Sequence, residues 1–299
     1  MQDYVAVVGA VNMDVGGRPF APLIARDSNP GAVSLSPGGV GRNIAHNLRL
    51  LGVPAVFLTA LGEDAFAQEL RRGCAGLGID LSHALSVPGA GTSVYLYIAG
   101  SDGDMALAVS DMALARHISP AYLERTLDVL DNAALVVLDG NLEAESVAWL
   151  GENCRAPLFA DPVSVHKAER FRAVLPKLHT FKPNRMEAEL LTGERAPEAA
   201  AQALLNRGVR RVFLSLGADG VLAAEGTTRV RLPAVPGALV NTTGAGDAMT
   251  AALAAAYLEG RDLEQSARLA LAAAASAVAS EASVNPAMCR ESVWRRAGL

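Results

Sequence analysis

The chain has 299 residues, 51% hydrophobic and 19% charged, which is enough apolar material to bury a core without disulfides or metals. Lys and Arg total 26 against 31 Asp and Glu, a net charge of −5 with no run of five like charges, and this argues against a nucleic-acid polymer as partner. Cys74, Cys154 and Cys289 are too scattered for a disulfide framework and are expected as small buried groups in a cytoplasmic protein; no signal-peptide pattern opens the chain, and the Ala-rich stretch 267–279 is too short to span a membrane.

In chain order, YVAVVGAV at 4–11 is a short β-branched run that predicts a buried strand. Residues 15–36 are rich in Gly, Pro and Ser and hold no helical period. GRNIAHNLRLLG at 41–52 spaces Ile44, Leu48 and Leu51 as a helix, and Gly52 suits its end. AVFLTALG at 55–62 predicts a strand, and FAQELRRGCAGLG at 66–78 a helix. The segment 92–110 alternates and turns at Ser101-Asp102-Gly103, which predicts a β-hairpin. ALVVLDG at 134–140, LFADPV at 158–163 and RVFLSLGADG at 211–220 are further strands, and 244–258 is an Ala-rich helix opened by glycines. Strands separated by helices predict an α/β fold with a mostly parallel sheet covered on both faces. Ligands of such sheets sit beyond the strands' carboxyl ends, where Asn12, Asp14, Asp139, Asn141 and Asp161 follow apolar runs.

Four motifs carry candidate chemistry. In NTTGAGDAMTAALAAA at 241–256, Gly244, Ala245 and Gly246 precede or open a helix whose N–H groups make an anion hole, and Asp247 falls in the first turn. A carboxylate there can take a proton from an attacking hydroxyl, or only complement the helix dipole. In SPGGVGRNIAHNL at 36–48, Gly38 and Gly39 permit close backbone approach and Asn43 presents an amide, although a plain turn fits equally. In KPNRMEAELLTG at 182–193, Asn184 and Glu187 share a helix face; they suit hydrated Mg²⁺, or a capping box. In SLGADG at 215–220, Ser215, Gly217 and Gly220 offer backbone to a nucleotide, or merely turn the chain.

The order and spacing of these motifs resemble the PfkB, or ribokinase-like, carbohydrate kinase family over nearly the whole chain. The glycine pair 38–39 resembles its first signature, Gly244-Ala245-Gly246-Asp247 its second, Asn184 and Glu187 its Mg²⁺ motif, and Asn12 with Asp14 its sugar-diol clamp. Ser28-Asn29-Pro30-Gly31, DGDM at 102–105, Ser110-Asp111-Met112, DPVS at 161–164 and HTFKPNRMEAE at 179–189 are similar to the subgroup whose acceptor is pseudouridine.

The resemblance implies one ribokinase-like three-layer domain over 1–299, with lid segments at about 15–36 and 92–112. It implies ATP and Mg²⁺, a nucleoside acceptor phosphorylated at its 5′-hydroxyl, and Asp247 as general base. Asn12, Asp14, Gly38, Gly39, Asn43 and Asn141 would bind the sugar. Ser28, Asn29, Thr92 and Lys167 are candidates to read the base, with loop or surface roles as the alternative. Asn184, Ser215, Gly217, Gly220 and Gly246 would meet the nucleotide. Relatives carry Asp where this chain has Asn241, near a monovalent-cation site; Asn keeps an oxygen but loses the charge, so a K⁺ requirement is left open. The alternating Val94, Leu96 and Ile98 suit a homodimer through the lid. Another nucleoside or ribose kinase, and a non-catalytic sensor of the same fold, are the competing functions.

Overall fold

The computed structural model describes residues 3–100 and 105–299. The hairpin turn expected at 101–103, and most of DGDM at 102–105, lie outside the described residues. Fourteen strands are described: β1 (Val5–Val8), β2 (Asn12–Pro19), β3 (Gly31–Gly38), β4 (Ala55–Leu58), β5 (Ala60–Leu61), β6 (Leu85–Ser86), β7 (Val94–Ala99), β8 (Met105–Asp111), β9 (Leu135–Asp139), β10 (Leu158–Asp161), β11 (Leu178–Phe181), β12 (Arg211–Ser215), β13 (Val221–Glu225) and β14 (Thr228–Leu232).

Eight of these form the central sheet in the order β14-β13-β12-β11-β10-β9-β1-β4. The pairs from β4 to β12 are parallel, and β13 and β14 add an antiparallel edge. Successive side chains of a strand point to opposite faces, so a strand covered on both sides is apolar throughout. β1 illustrates this: Val5 and Val7 join one core, and Ala6 and Val8 the other. The first core packs the helices Val40–Leu50, Ala245–Leu258 and Leu263–Ala277 on one face. The second packs Leu123, Val147, Leu150, Leu191 and Leu204 from helices on the other. The result is the expected three-layer α/β architecture, a mostly parallel sheet with helices on both faces.

The two segments expected as a lid, 15–36 and 92–112, supply a separate four-stranded sheet, β3-β2-β7-β8, called the lid sheet below. The hairpin β7–β8 is antiparallel as predicted, but β7 pairs parallel to β2, which joins the two irregular segments into one sheet. Its register gives it two unlike faces. Asp14, Ser36, Tyr95 and Ser110 align on one, whereas Val15, Leu35, Leu96 and Val109 align on the other. Cys74 is buried as expected and Cys154 partly so, but Cys289 is exposed at the start of the last helix. Among the described residues, no helix is long and apolar enough to cross a membrane.

Candidate active site

The parallel strands β1, β9, β10 and β11 end side by side, and the residues just beyond them converge with the N-terminus of the helix Ala245–Leu258. Gly244 caps that helix at φ 82°, a conformation glycine adopts without steric cost. A Cβ on Gly244 would also lie 1.8 Å from the Ser283 carbonyl oxygen, so no side chain fits. Asp247 follows in the first turn with its carboxylate buried.

Asn43, from the first turn of the helix Val40–Leu50, donates its amide to Asp247 Oδ2 at 2.8 Å. Burial, and then the negative charge of Asp161, push the Asp247 carboxyl up to about 7; the Asn43 hydrogen bond and Lys182 pull the other way. A carboxylate so placed ionises near neutral pH, where a general base is most useful. Lys182, just past β11, forms a buried ion pair with Asp161, just within β10, at 3.2 Å. Thr250 donates to the same Asp161 oxygen at 2.9 Å. A Cβ on Gly246 would stand 3.2 Å from Lys182 Nζ, so the glycine lets that buried ammonium lie close against the helix mouth. Asp161 lies where the sequence places a site residue, beyond an apolar run, whereas Arg42, Lys182 and Thr250 carry no such signal; the packing of two helix N-termini against neighbouring strand ends gathers them.

On the lid side, Asp14 accepts the Asn12 amide at 2.6 Å, and burial raises its carboxyl above the usual range. A Cβ on Gly38 would lie 2.4 Å from the Asp14 carboxylate, and one on Gly39, at φ 98°, 2.5 Å from the Ala10 carbonyl. Both glycines therefore serve a close approach of the end of β3 to β2 and to residues 10–11 just before it. Asp139 is fully buried, accepts the N–H groups of Ala10 and Asn141, and is pushed up to about 6 by burial. Lys167 donates to Asn141 Oδ1 at 2.6 Å, so these two candidates meet at the same rim. Next to Asp161, Val163 adopts φ 68°, a strained backbone for a β-branched residue.

Three expected base-reading residues lie elsewhere or are occupied. Ser28 and Asn29 sit in the loop joining the far ends of β2 and β3, where Pro19 pairs with Gly31. At 3.3 Å per residue that end lies roughly 23 Å along β2 from Asn12. Asn29 spends its amide within the loop, accepting from Ile24 N–H and donating to the Ile24 and Asp27 carbonyls. Thr92 is buried, and its hydroxyl donates to Asp64 at 2.6 Å, tying the lid's root to the body.

Asn184 and Glu187 form the capping box: Glu187 Oε2 accepts Asn184 N–H at 2.7 Å, and Asn184 Oδ1 accepts Glu187 N–H at 3.0 Å. The Asn184 oxygen is thereby used, which leaves its N–H₂ and the other Glu187 oxygen to face a ligand. This donor set suits a hydrated Mg²⁺ held through water, the usual mode for that ion beside phosphates. Ser215 bridges to Asn184 across neighbouring segments. Beyond it Gly217 opens a turn at φ 62° onto open space, whereas Gly220 packs so closely that a Cβ would meet the Leu232 oxygen at 2.0 Å. Asn241 donates its amide to the Glu281 carbonyl at 2.8 Å and accepts Thr243 N–H at 2.9 Å.

Comparison with known proteins agrees with this geometry. The model of the pfkB family carbohydrate kinases matches residues 2–288. A pseudouridine kinase of Escherichia coli is 38% identical over 95% of this chain and 93% of its own. A guanosine-inosine kinase of Exiguobacterium acetylicum is 27% identical over 92% and 94%. The structure of Arabidopsis thaliana ribokinase complexed with ribose and ATP superposes with a TM-score of 0.86 at 26% identity, covering 100% of both chains. By fold, by the convergence of glycine-led helix and strand ends, and by sequence along almost its entire length, the chain belongs to the pfkB family of carbohydrate kinases.

Proposed function

We propose that the protein transfers the γ-phosphoryl group of ATP to the 5′-hydroxyl of pseudouridine, giving pseudouridine 5′-phosphate and ADP. The single observation that carries the catalytic part is the buried Asp247 carboxylate at a helix N-terminus, oriented by Asn43 and ionising near neutrality. As the 5′-oxygen attacks the γ-phosphorus and the bond to the β,γ-bridging oxygen breaks, Asp247 takes the hydroxyl proton. The N–H groups of Gly244, Ala245 and Gly246, with Lys182, offset the charge on the transferred group. Mg²⁺, when bound with the nucleotide, neutralises phosphate charge; Glu187 would hold its water and the Asn184 amide a phosphate oxygen. Asp14 and Asn12 face the sugar's paired hydroxyls, with Gly39, Asn43 and Asn141 alongside.

The choice of pseudouridine rests on similarity to the Escherichia coli enzyme and on the polar face of the lid. Ser36 and Tyr95 flank Asp14 on that face, and they replace Ser28, Asn29 and Thr92 as the groups that meet the base; Lys167 stays a candidate at the opposite rim. The guanosine-inosine kinase likeness keeps a purine nucleoside as the second reading. A panel of pseudouridine, uridine, inosine, adenosine and ribose with ATP and Mg²⁺ separates them. Preferred turnover of pseudouridine is expected, and equal or better turnover of uridine or a purine nucleoside would overturn the assignment.

Two finer points belong to the same reading. The apolar lid face, with Val33, Leu35, Leu107 and Val109 all more than half exposed, fits a second copy of this chain packed through the lid. Light scattering should give a dimer, and Leu35→Glu with Leu107→Glu a monomer. The Asn241 amide already satisfies the Glu281 carbonyl, which supports turnover without a monovalent cation at that position.

A further inference from the structure

Arg42 occupies an unfavourable place. It lies in the first turn of the helix Val40–Leu50, where the positive end of the helix dipole disfavours a cation. It is also 6% exposed, and burial is the main influence lowering its affinity for its proton. Among the described residues it makes no ion pair within 4 Å, so no direct carboxylate contact explains it. Its guanidinium instead donates from Nε to the Gly38 carbonyl at 3.2 Å and from Nη2 to Asn43 Oδ1. Asn43 in turn donates to Asp247 Oδ2. The charges of Asp14 and Asp247 both act on Arg42.

A guanidinium has donors only, so it accepts no contact from the N–H₂ end of an amide. With its oxygen held by Arg42, the Asn43 amide has one orientation available, and its N–H₂ must face Asp247. We propose that Arg42 is a positioning residue: by fixing which end of Asn43 meets Asp247, it holds the general base in line and sets the pH range over which that base is ionised. It touches neither the acceptor oxygen nor the phosphoryl group in this scheme. The proposal rests on the reading of Asp247 as the base.

The test uses the full-length enzyme and whichever acceptor the panel shows to be turned over. Arg42→Met removes both the charge and the fork. The acid limb of kcat/KM should move up by about one pH unit, because a positive neighbour and a hydrogen bond to the ionised form are both lost. Turnover at pH 7 should fall by about 10-fold or more, while nucleoside KM changes less. A role confined to packing would lower the melting temperature and leave the acid limb in place, and that outcome overturns the proposal. Should Arg42→Met fail to fold, Arg42→Lys, which keeps the charge without the fork, is measured the same way; an unmoved limb with unchanged kcat there also overturns it. Asp247→Asn is the control. If it stays as active as the wild type, the base assignment fails; if it is inactive and the Arg42 variants behave normally, only this inference fails.

Discussion

Lys182 and Asp161 form an ion pair 3.2 Å apart, with both side chains only 6% exposed. Burial works against the Lys182 charge, but Asp161, and then the charges of Glu187 and Asp247, outweigh it and raise its pKa. Removing one partner of such a pair leaves a buried charge without compensation. Lys182→Met should therefore cost about 3–5 kcal/mol of stability and abolish turnover. Asp161→Asn combined with Lys182→Met should recover part of the stability and none of the activity, as read by thermal melts and a coupled ADP assay.

Asp247→Asn should retain nucleoside binding and lose at least about 100-fold in kcat. In the wild type, kcat/KM should rise with pH through about 7, where this carboxyl ionises. The effect on stability has the opposite sign. The folded state holds the proton up to about 7 and the unfolded chain releases it near 3.8. Between those values the native state binds more protons, so this group's contribution falls as pH rises and is flat above. Asp247→Asn should accordingly be more stable than the wild type at pH 8, with the gap closing below pH 4, checked by melting temperature across that range.

Asp14→Ala should raise the nucleoside KM by about 10- to 100-fold, the range for losing hydrogen bonds to a charged group. The effect on kcat should be smaller, because the diol is bound equally in ground and transition states. Steady-state kinetics with the riboside and its 2′-deoxy analogue check this: the preference for the riboside should vanish in the variant.

Wild-type turnover should be the same in K⁺ and in tetramethylammonium salts. Asn241→Asp replaces a donor to the Glu281 carbonyl with a second acceptor. That variant should lose about 1 kcal/mol of stability in tetramethylammonium and regain it in K⁺, as followed by melting temperature.

Much of the site was legible because its residues lie where local rules place them. Gly244 and Asp247 open an Ala-rich helix, and Asn12, Asp14 and Asn141 follow apolar strands. The rest depends on which strands neighbour one another, and no local pattern carries that. Lys182 reads as an ordinary Lys until β11 is set beside β10, which brings it to Asp161. Arg42 reads as the polar face of a helix until Asn43 is found to meet Asp247, 204 positions away. Thr92 and Asn29 had the right chemistry for base recognition, but a nearer partner claims each hydroxyl or amide. The capping box and the Mg²⁺ motif drew on the same two residues, and the structure satisfies the cap while sparing one carboxylate oxygen.

Because β2 alternates its side chains strictly, its length is an addressing device. Deleting or inserting one residue between Asn12 and Pro19 would rotate everything beyond the change by half a turn, bringing Val15-type side chains to the face that carries Asp14, Ser36 and Tyr95 and polar side chains to the apolar one. Substitutions and changes in steps of two preserve the facing, and a single-residue insertion is expected to be tolerated best in the loop between Pro19 and Gly31, outside the paired strands.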